Sequence, residues 1–156
     1  MNNNDGRYLE DIVKEWFTDR AMADVMLTRL PDSRSARNLI QAQNADFLMG
    51  VKGYGACHIE CKSIGGLKQN LRMFRQYHLM NKWNLAGVPG FVLIHFYDLK
   101  TIAIVEITSA PRFDGKKYWP IQGDPYTTVI GSDRKEDFFT LLDTHVQVLK
   151  GRRLRK

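Results

Sequence analysis

Asp46, Glu60 and Lys62 are the residues whose types and spacing could do chemistry. Thirteen residues separate the two carboxylates, and only Cys61 separates Glu60 from Lys62. On an extended strand, residues i and i+2 project from one face. Glu60 and Lys62 therefore point together, while Ile59 and Cys61 point into the other layer. Two carboxylates brought within a few ångströms repel, and a cation relieves that repulsion. A hard divalent ion such as Mg²⁺, with Mn²⁺ able to substitute, takes carboxylate oxygens, a main-chain carbonyl and water. Asp46, Glu60 and the main-chain carbonyl of Cys61 are the expected donors, and Glu10 could complete the set. Lys62, beside the bound water and a phosphate, would help deprotonate the nucleophile or stabilise developing negative charge. These are the requirements of metal-assisted phosphodiester hydrolysis. The plain structural alternative is a Glu60–Lys62 ion pair on a solvent-facing sheet.

The elements that must position these residues can be read from pattern. Leu9, Ile12, Val13, Trp16 and Phe17 recur at helical spacing, which predicts a helix from Asp5, an N-cap, to about Asp19. Glu10 sits at the edge of that stripe, and its ordinary role there would be a pair with Lys14. Val25 to Leu30 reads as a short extended stretch, and the segment 32–38 as a polar loop. Asp46 to Val51 and Ala56 to Ile64 read as strands joined by the turn Lys52-Gly-Tyr-Gly55, a hairpin. A helix is expected from about Leu67 to Leu85, ended by Gly87-Val-Pro-Gly90. Phe91 to Tyr97 is an apolar strand covered on both faces, and Ile102 to Ile107 is another. Ser109 to Ser132, with Pro111, Gly115, Pro120, Gly123 and Pro125, reads as irregular. A last helix runs from about Lys135 to Leu149. The expected fold is a single α/β domain over residues 1–149, a mixed central sheet flanked by helices, followed by a basic tail over 150–156.

The distribution of charge says more than its sum. The 156 residues carry 23 Lys and Arg against 17 Asp and Glu, a net of +6. Lys150, Arg152, Arg153, Arg155 and Lys156 crowd the tail. From Cys61 to Tyr97 there is no acid, but there are Lys62, Lys68, Arg72, Arg75 and Lys82. Setting those ten cations aside leaves 13 basic against 17 acidic residues, a net of −4. Positive character confined to two segments suits a polyanion, most commonly nucleic acid. On the helix expected over 67–85, Lys68, Arg72, Arg75 and Lys82 would form one stripe beside Glu60 and Lys62, able to hold a phosphate backbone. Met73, Tyr77 and Met80 would face the sheet. A solvated face is the bland alternative, although ordinary exposed helices mix signs. Tyr54 and Trp83 could stack on exposed bases or pack at the rim of the core.

Composition excludes several classes. At 44% hydrophobic and 26% charged residues, the chain is globular and not disordered. Its longest apolar run, Gly90 to Ile94, is far short of the ~20 residues that span a bilayer. The polar N-terminus has no signal region, so a soluble intracellular protein is expected, with no membrane partner. Two cysteines, Cys57 and Cys61, make no disulfide framework. His58 between them points to the opposite strand face, which argues against zinc. No Ser-His-Asp set, phosphate-binding glycine loop or dinucleotide fingerprint is present, so no organic cofactor is expected.

Asp46, followed by Glu60-x-Lys62 on a hairpin, resembles the core of the PD-(D/E)XK nuclease superfamily. More narrowly, the chain is similar over Gly6 to Tyr97 to the Holliday junction resolvases of the archaeal Hjc and bacterial RecU kind. Gly6…Glu10 looks like that family's opening, whose helix glutamate contributes to the metal site. Arg29-Leu-Pro31-Asp-Ser33 resembles its Arg-x-Pro-x-Ser stretch, whose arginine and serine lie near the scissile strand. Asn44-Ala-Asp46-Phe stands where the family has its metal-binding aspartate, although Ala45 replaces the proline usual there. Phe74-Arg-Gln76 resembles the segment whose glutamine supports the active site. The region after Ile107 matches nothing in the family. The resemblance implies a restriction-endonuclease-like core and a Mg²⁺-dependent endodeoxyribonuclease acting on branched DNA. It places Arg29, Ser33, Arg34 and Arg37 with the DNA, alongside the cations of the two basic segments. Paired nicks at a four-way junction need two sites related by a two-fold axis, hence a homodimer. Three other readings stay open. One is a nicking, flap or restriction nuclease of the same superfamily. Another is a non-catalytic DNA-binding module on that fold, and the third is an RNA or membrane-surface binder using the tail.

Overall fold

The computed structural model describes residues 7–20, 22–31, 45–65, 68–70, 76–107, 118–120, 127–131 and 134–153. Its centre is a six-stranded mixed sheet in the order β1(Val25–Arg29), β2(Phe47–Val51), β3(Gly55–Ile64), β5(Gly90–Phe96), β6(Thr101–Glu106), β8(Thr127–Gly131). Every pairing is antiparallel except β3 with β5. That parallel pair requires a crossover, and α2(Tyr77–Leu85) lies within it. The β2–β3 hairpin is in the expected place. Its turn closes with the Tyr54 N–H donating to the Val51 carbonyl at 3.0 Å, and Gly53 takes the positive φ of 82° that the reversal needs.

Two cores cover the two sheet faces. On one, Leu9, Ile12, Val13 and Trp16 of α1(Arg7–Arg20) join Phe138, Phe139, Leu142, Val146 and Leu149 of α3(Lys135–Arg153). They pack on Cys57, Ile59 and Cys61 of β3 and Phe91 and Leu93 of β5. On the other face, Tyr77 and Met80 of α2 pack on Val92, Ile94 and Phe96. β5 is buried along its whole length, as a strand covered on both sides must be. Both cysteines are free and buried. Among the described residues, no helix is long and apolar enough to cross a membrane.

Several expectations need correction. The segment read as one helix over 67–85 holds a strand, β4(Lys68–Asn70), paired with β7(Tyr118–Pro120). The helix begins only at Tyr77, so Lys68 and Lys82 do not share a helical stripe. Arg72, Arg75 and Met73 lie outside the described residues. Ser109 to Ser132, read as irregular, contains β7 and also β8, which extends the main sheet beyond β6. In both cases a partner more than forty residues or more than twenty residues away supplies backbone bonds that local composition does not announce. α3 runs on to Arg153, so the basic tail starts inside a helix, and Lys150 pairs with Asp24. The side chains of Arg152 and Arg153, together with Arg155 and Lys156, lie outside the described residues, as does the expected cap Asp5.

Candidate active site

The site forms where β1 ends and β2 begins, leaving one edge of β3 beyond Ile59 without a strand partner among the described residues. β2 pairs with β3 only as far as Phe47 opposite Ile59. Just beyond, the Asp46 N–H donates to the Ile59 carbonyl at 3.1 Å. The Asp46 carboxylate then replaces the missing strand: its Oδ2 accepts the Cys61 N–H at 2.7 Å. The N–H and C=O of a strand residue leave on the same side, so the Cys61 carbonyl is directed to the Asp46 side of β3.

Glu60 projects onto the α2 side of the sheet, beside Val92 of β5. It is fully buried, with 0% exposure. Lys62 brings Nζ to 2.5 Å from Glu60 Oε1. The two side chains form a close ion pair whose carboxylate end is buried. Burial dominates the electrostatics. Together with the neighbouring Asp46 charge, it outweighs Lys62 and pushes the Glu60 carboxyl up to about 8. Asp46 is also raised, by burial first; the Cys61 N–H opposes the shift and the charge of Glu10 adds to it. The Glu60–Lys62 ion pair of the plain alternative is present, but its carboxylate is buried and not solvent-facing.

Glu10 reaches this end of the sheet from α1, whose first turn is anchored by Tyr8 against His95 with ring centroids 4.6 Å apart. Its carboxylate does not pair with Lys14, which bonds Asp11 instead. Arg29 holds Glu10 Oε2 through Nε at 2.9 Å and Nη2 at 2.8 Å. This pair, nineteen residues apart in sequence, has no spacing signal that could have revealed it. Gln76 stands at the N-terminal end of α2 with Oε1 buried and without a hydrogen-bond donor among the described residues. Ser33, Arg34 and Arg37 lie outside the described residues. Tyr54 packs half-buried against the α1/α3 core, so it is rim and not a free aromatic.

Comparison with protein-family models and with curated proteins returned no match.

Carboxylate and main-chain carbonyl oxygens are the donor types that hard divalent cations take. Two carboxylates repel across a buried site, the Lys62 ammonium compensates one of them, and the Cys61 carbonyl is directed to the Asp46 side of β3. Among the described residues, no three His, Cys, Asp or Glu side chains are arranged to hold an ion. The structure gathers Asp46 and Glu60, while Glu10 is turned to Arg29.

Proposed function

We propose that the chain is a Mg²⁺-dependent DNA endonuclease on a restriction-endonuclease-like core, acting on four-way junctions as a homodimer. What supports the reading is the fully buried Glu60 set between the Asp46 charge and the Lys62 ammonium. A buried acid beside a second acid is costly for a fold to keep, and such groups concentrate at functional sites. A bound Mg²⁺ would supply charge neutralisation and would hold and acidify the water that attacks once a base removes its proton.

The residues of the chain have separable tasks. Asp46 and Glu60, with the Cys61 carbonyl, would hold the ion. Lys62, about a quarter exposed and reaching from the same strand face, places its ammonium where it can meet a phosphate oxygen and hold developing charge. Its move from Glu60 to phosphate becomes favourable once a cation compensates the carboxylate. Arg29, about half exposed, neutralises Glu10 and turns a cationic group toward solvent beside the site, which suits a backbone contact to DNA. Gln76 offers an amide whose oxygen has no donor of its own among the described residues, suited to holding a ligated water.

The reading is tested by incubating the protein with an end-labelled synthetic four-way junction, a flap, a nicked duplex and a linear duplex, in Mg²⁺, Ca²⁺ or EDTA. Paired nicks in the junction with Mg²⁺, and binding without turnover in Ca²⁺, are the expected result. Cleavage of flap or duplex in preference to junction would leave the superfamily reading and remove the resolvase one. Binding with no metal-dependent product on any substrate would make the chain a DNA-binding module.

A further inference from the structure

We infer that Trp83 is a stacking platform for an unpaired nucleobase of the strand that reaches Glu60 and Lys62. Only the position of that base relative to the scissile bond rests on the nuclease reading; the platform itself does not.

Large aromatics are usually well buried in soluble domains, yet Trp83 is 43% exposed. It is nevertheless held firmly. Its ring meets the buried His58 edge to face, with centroids 5.6 Å apart and planes at 68°, so His58 leaves at least one indole face uncovered. The end of α2 that carries it is tied down: the Val88 N–H donates to the Trp83 carbonyl at 2.9 Å, Ala86 to Lys82 at 3.1 Å and Gly87 to Asn84 at 3.0 Å. One turn back, Met80 is fully buried and packs against Gly90 so closely that a Cβ there would lie 2.7 Å from Met80 Cε. The same Cβ would lie 3.5 Å from the His58 Cβ, so Gly90 lets helix and strand meet beneath the indole.

Charge and position select the occupant. Lys82, next to Trp83, is exposed, and the chain carries no acid from Cys61 to Tyr97. An exposed aromatic ring and a lysine in a stretch of chain without acids suit a base and its phosphate, the combination by which single strands are bound. His58, Glu60 and Lys62 project from the same face of β3, at intervals of about 7 Å. A strand whose base rests on Trp83 can therefore lay a nearby phosphate at the Glu60–Lys62 pair. Fully paired duplex offers no free base face and gains nothing from the indole, so the platform favours DNA with unpaired or unstacked positions, such as the centre of a branch. Leu85, 79% exposed two residues on, gives a control for loss of apolar surface without a ring.

The test is fluorescence anisotropy of the full-length protein in EDTA with a labelled single-stranded oligodeoxynucleotide and with its fully paired duplex. Trp83→Ala should weaken single-strand binding by about 5- to 100-fold, Trp83→Phe by much less, and Leu85→Ser not at all, with duplex affinity the same in all four proteins. Single-strand binding by Trp83→Ala equal to that of wild type would overturn the proposal. So would equal losses on single strand and duplex. If Trp83→Ala instead changed the mass found by sedimentation, the ring would belong to a protein interface and the inference would fall. Because no metal or turnover enters the assay, its outcome is separate from that of the nuclease reading.

Discussion

Replacing Glu60 by glutamine should make the metal-free protein more stable, by an amount that grows with pH. The wild-type carboxyl is raised from 4.5 to about 8 in the folded state, chiefly by burial and then by Asp46. Between those values the folded protein keeps a proton that the unfolded chain releases, so stability falls as pH rises. The contribution is fully present below about pH 4.5 and is lost as pH climbs through about 8. At about 1.4 kcal/mol per pH unit, the wild type should lose roughly 3 to 4 kcal/mol relative to Glu60→Gln between pH 5 and pH 8. Differences at any single pH also contain the packing of the amide and the loss of its contact with Lys62, but those offsets do not vary with pH across this range. The assay is urea unfolding of both proteins in EDTA at pH 5, 6, 7 and 8, reading the difference in unfolding free energy. A difference that stays flat from pH 5 to pH 8 would refute the reasoning, because it would mean Glu60 titrates alike in the folded and unfolded chains.

Three further outcomes follow from the same geometry. Asp46→Asn keeps an oxygen to accept the Cys61 N–H but removes the charge that helps raise Glu60. The pH at which the Glu60-dependent loss of stability levels off should therefore move down in that variant, and an unmoved midpoint in the urea series would count against the coupling. Asp143→Ala deprives the buried Trp16 indole of its acceptor at 2.9 Å and Arg20 Nε of its partner at 3.2 Å. It should cost about 1–3 kcal/mol by urea unfolding with no change in DNA affinity. Adding Mg²⁺ at pH 8 should raise the melting temperature of the wild type more than that of Glu60→Gln, since an ion bound to the folded state alone stabilises it by mass action; equal shifts in differential scanning fluorimetry would place the ion elsewhere.

What could be read in advance was whatever local periodicity encodes. The stripe Leu9, Ile12, Val13, Trp16 demanded a packed helix and made one, and the continuous run from Phe91 implied a strand covered on both faces. The alternation around Glu60 placed it with Lys62 and away from Cys61, which is how they stand. Pairings set by distant chain were not readable. Lys68 to Asn70 looked helical because its neighbours did, and only Tyr118 to Pro120, nearly fifty residues later, makes it a strand. Spacing likewise placed Glu10 at the edge of the helix stripe but could not show that Arg29 would hold it, because that contact depends on where α1 crosses the end of β1. Nor does composition reveal how deeply Glu60 is buried; that follows from α2 closing over β5, a tertiary event.

The central claim, that Asp46, Glu60 and Lys62 form a metal-dependent phosphodiester-cleaving site, is tested most directly by single-turnover cleavage of an end-labelled four-way junction in Mg²⁺, comparing the wild type with Lys62→Ala. The account predicts paired nicks by the wild type and at least about a hundredfold slower cleavage by the variant, while junction binding in Ca²⁺ stays within a few-fold. Cleavage by Lys62→Ala at the wild-type rate would contradict it.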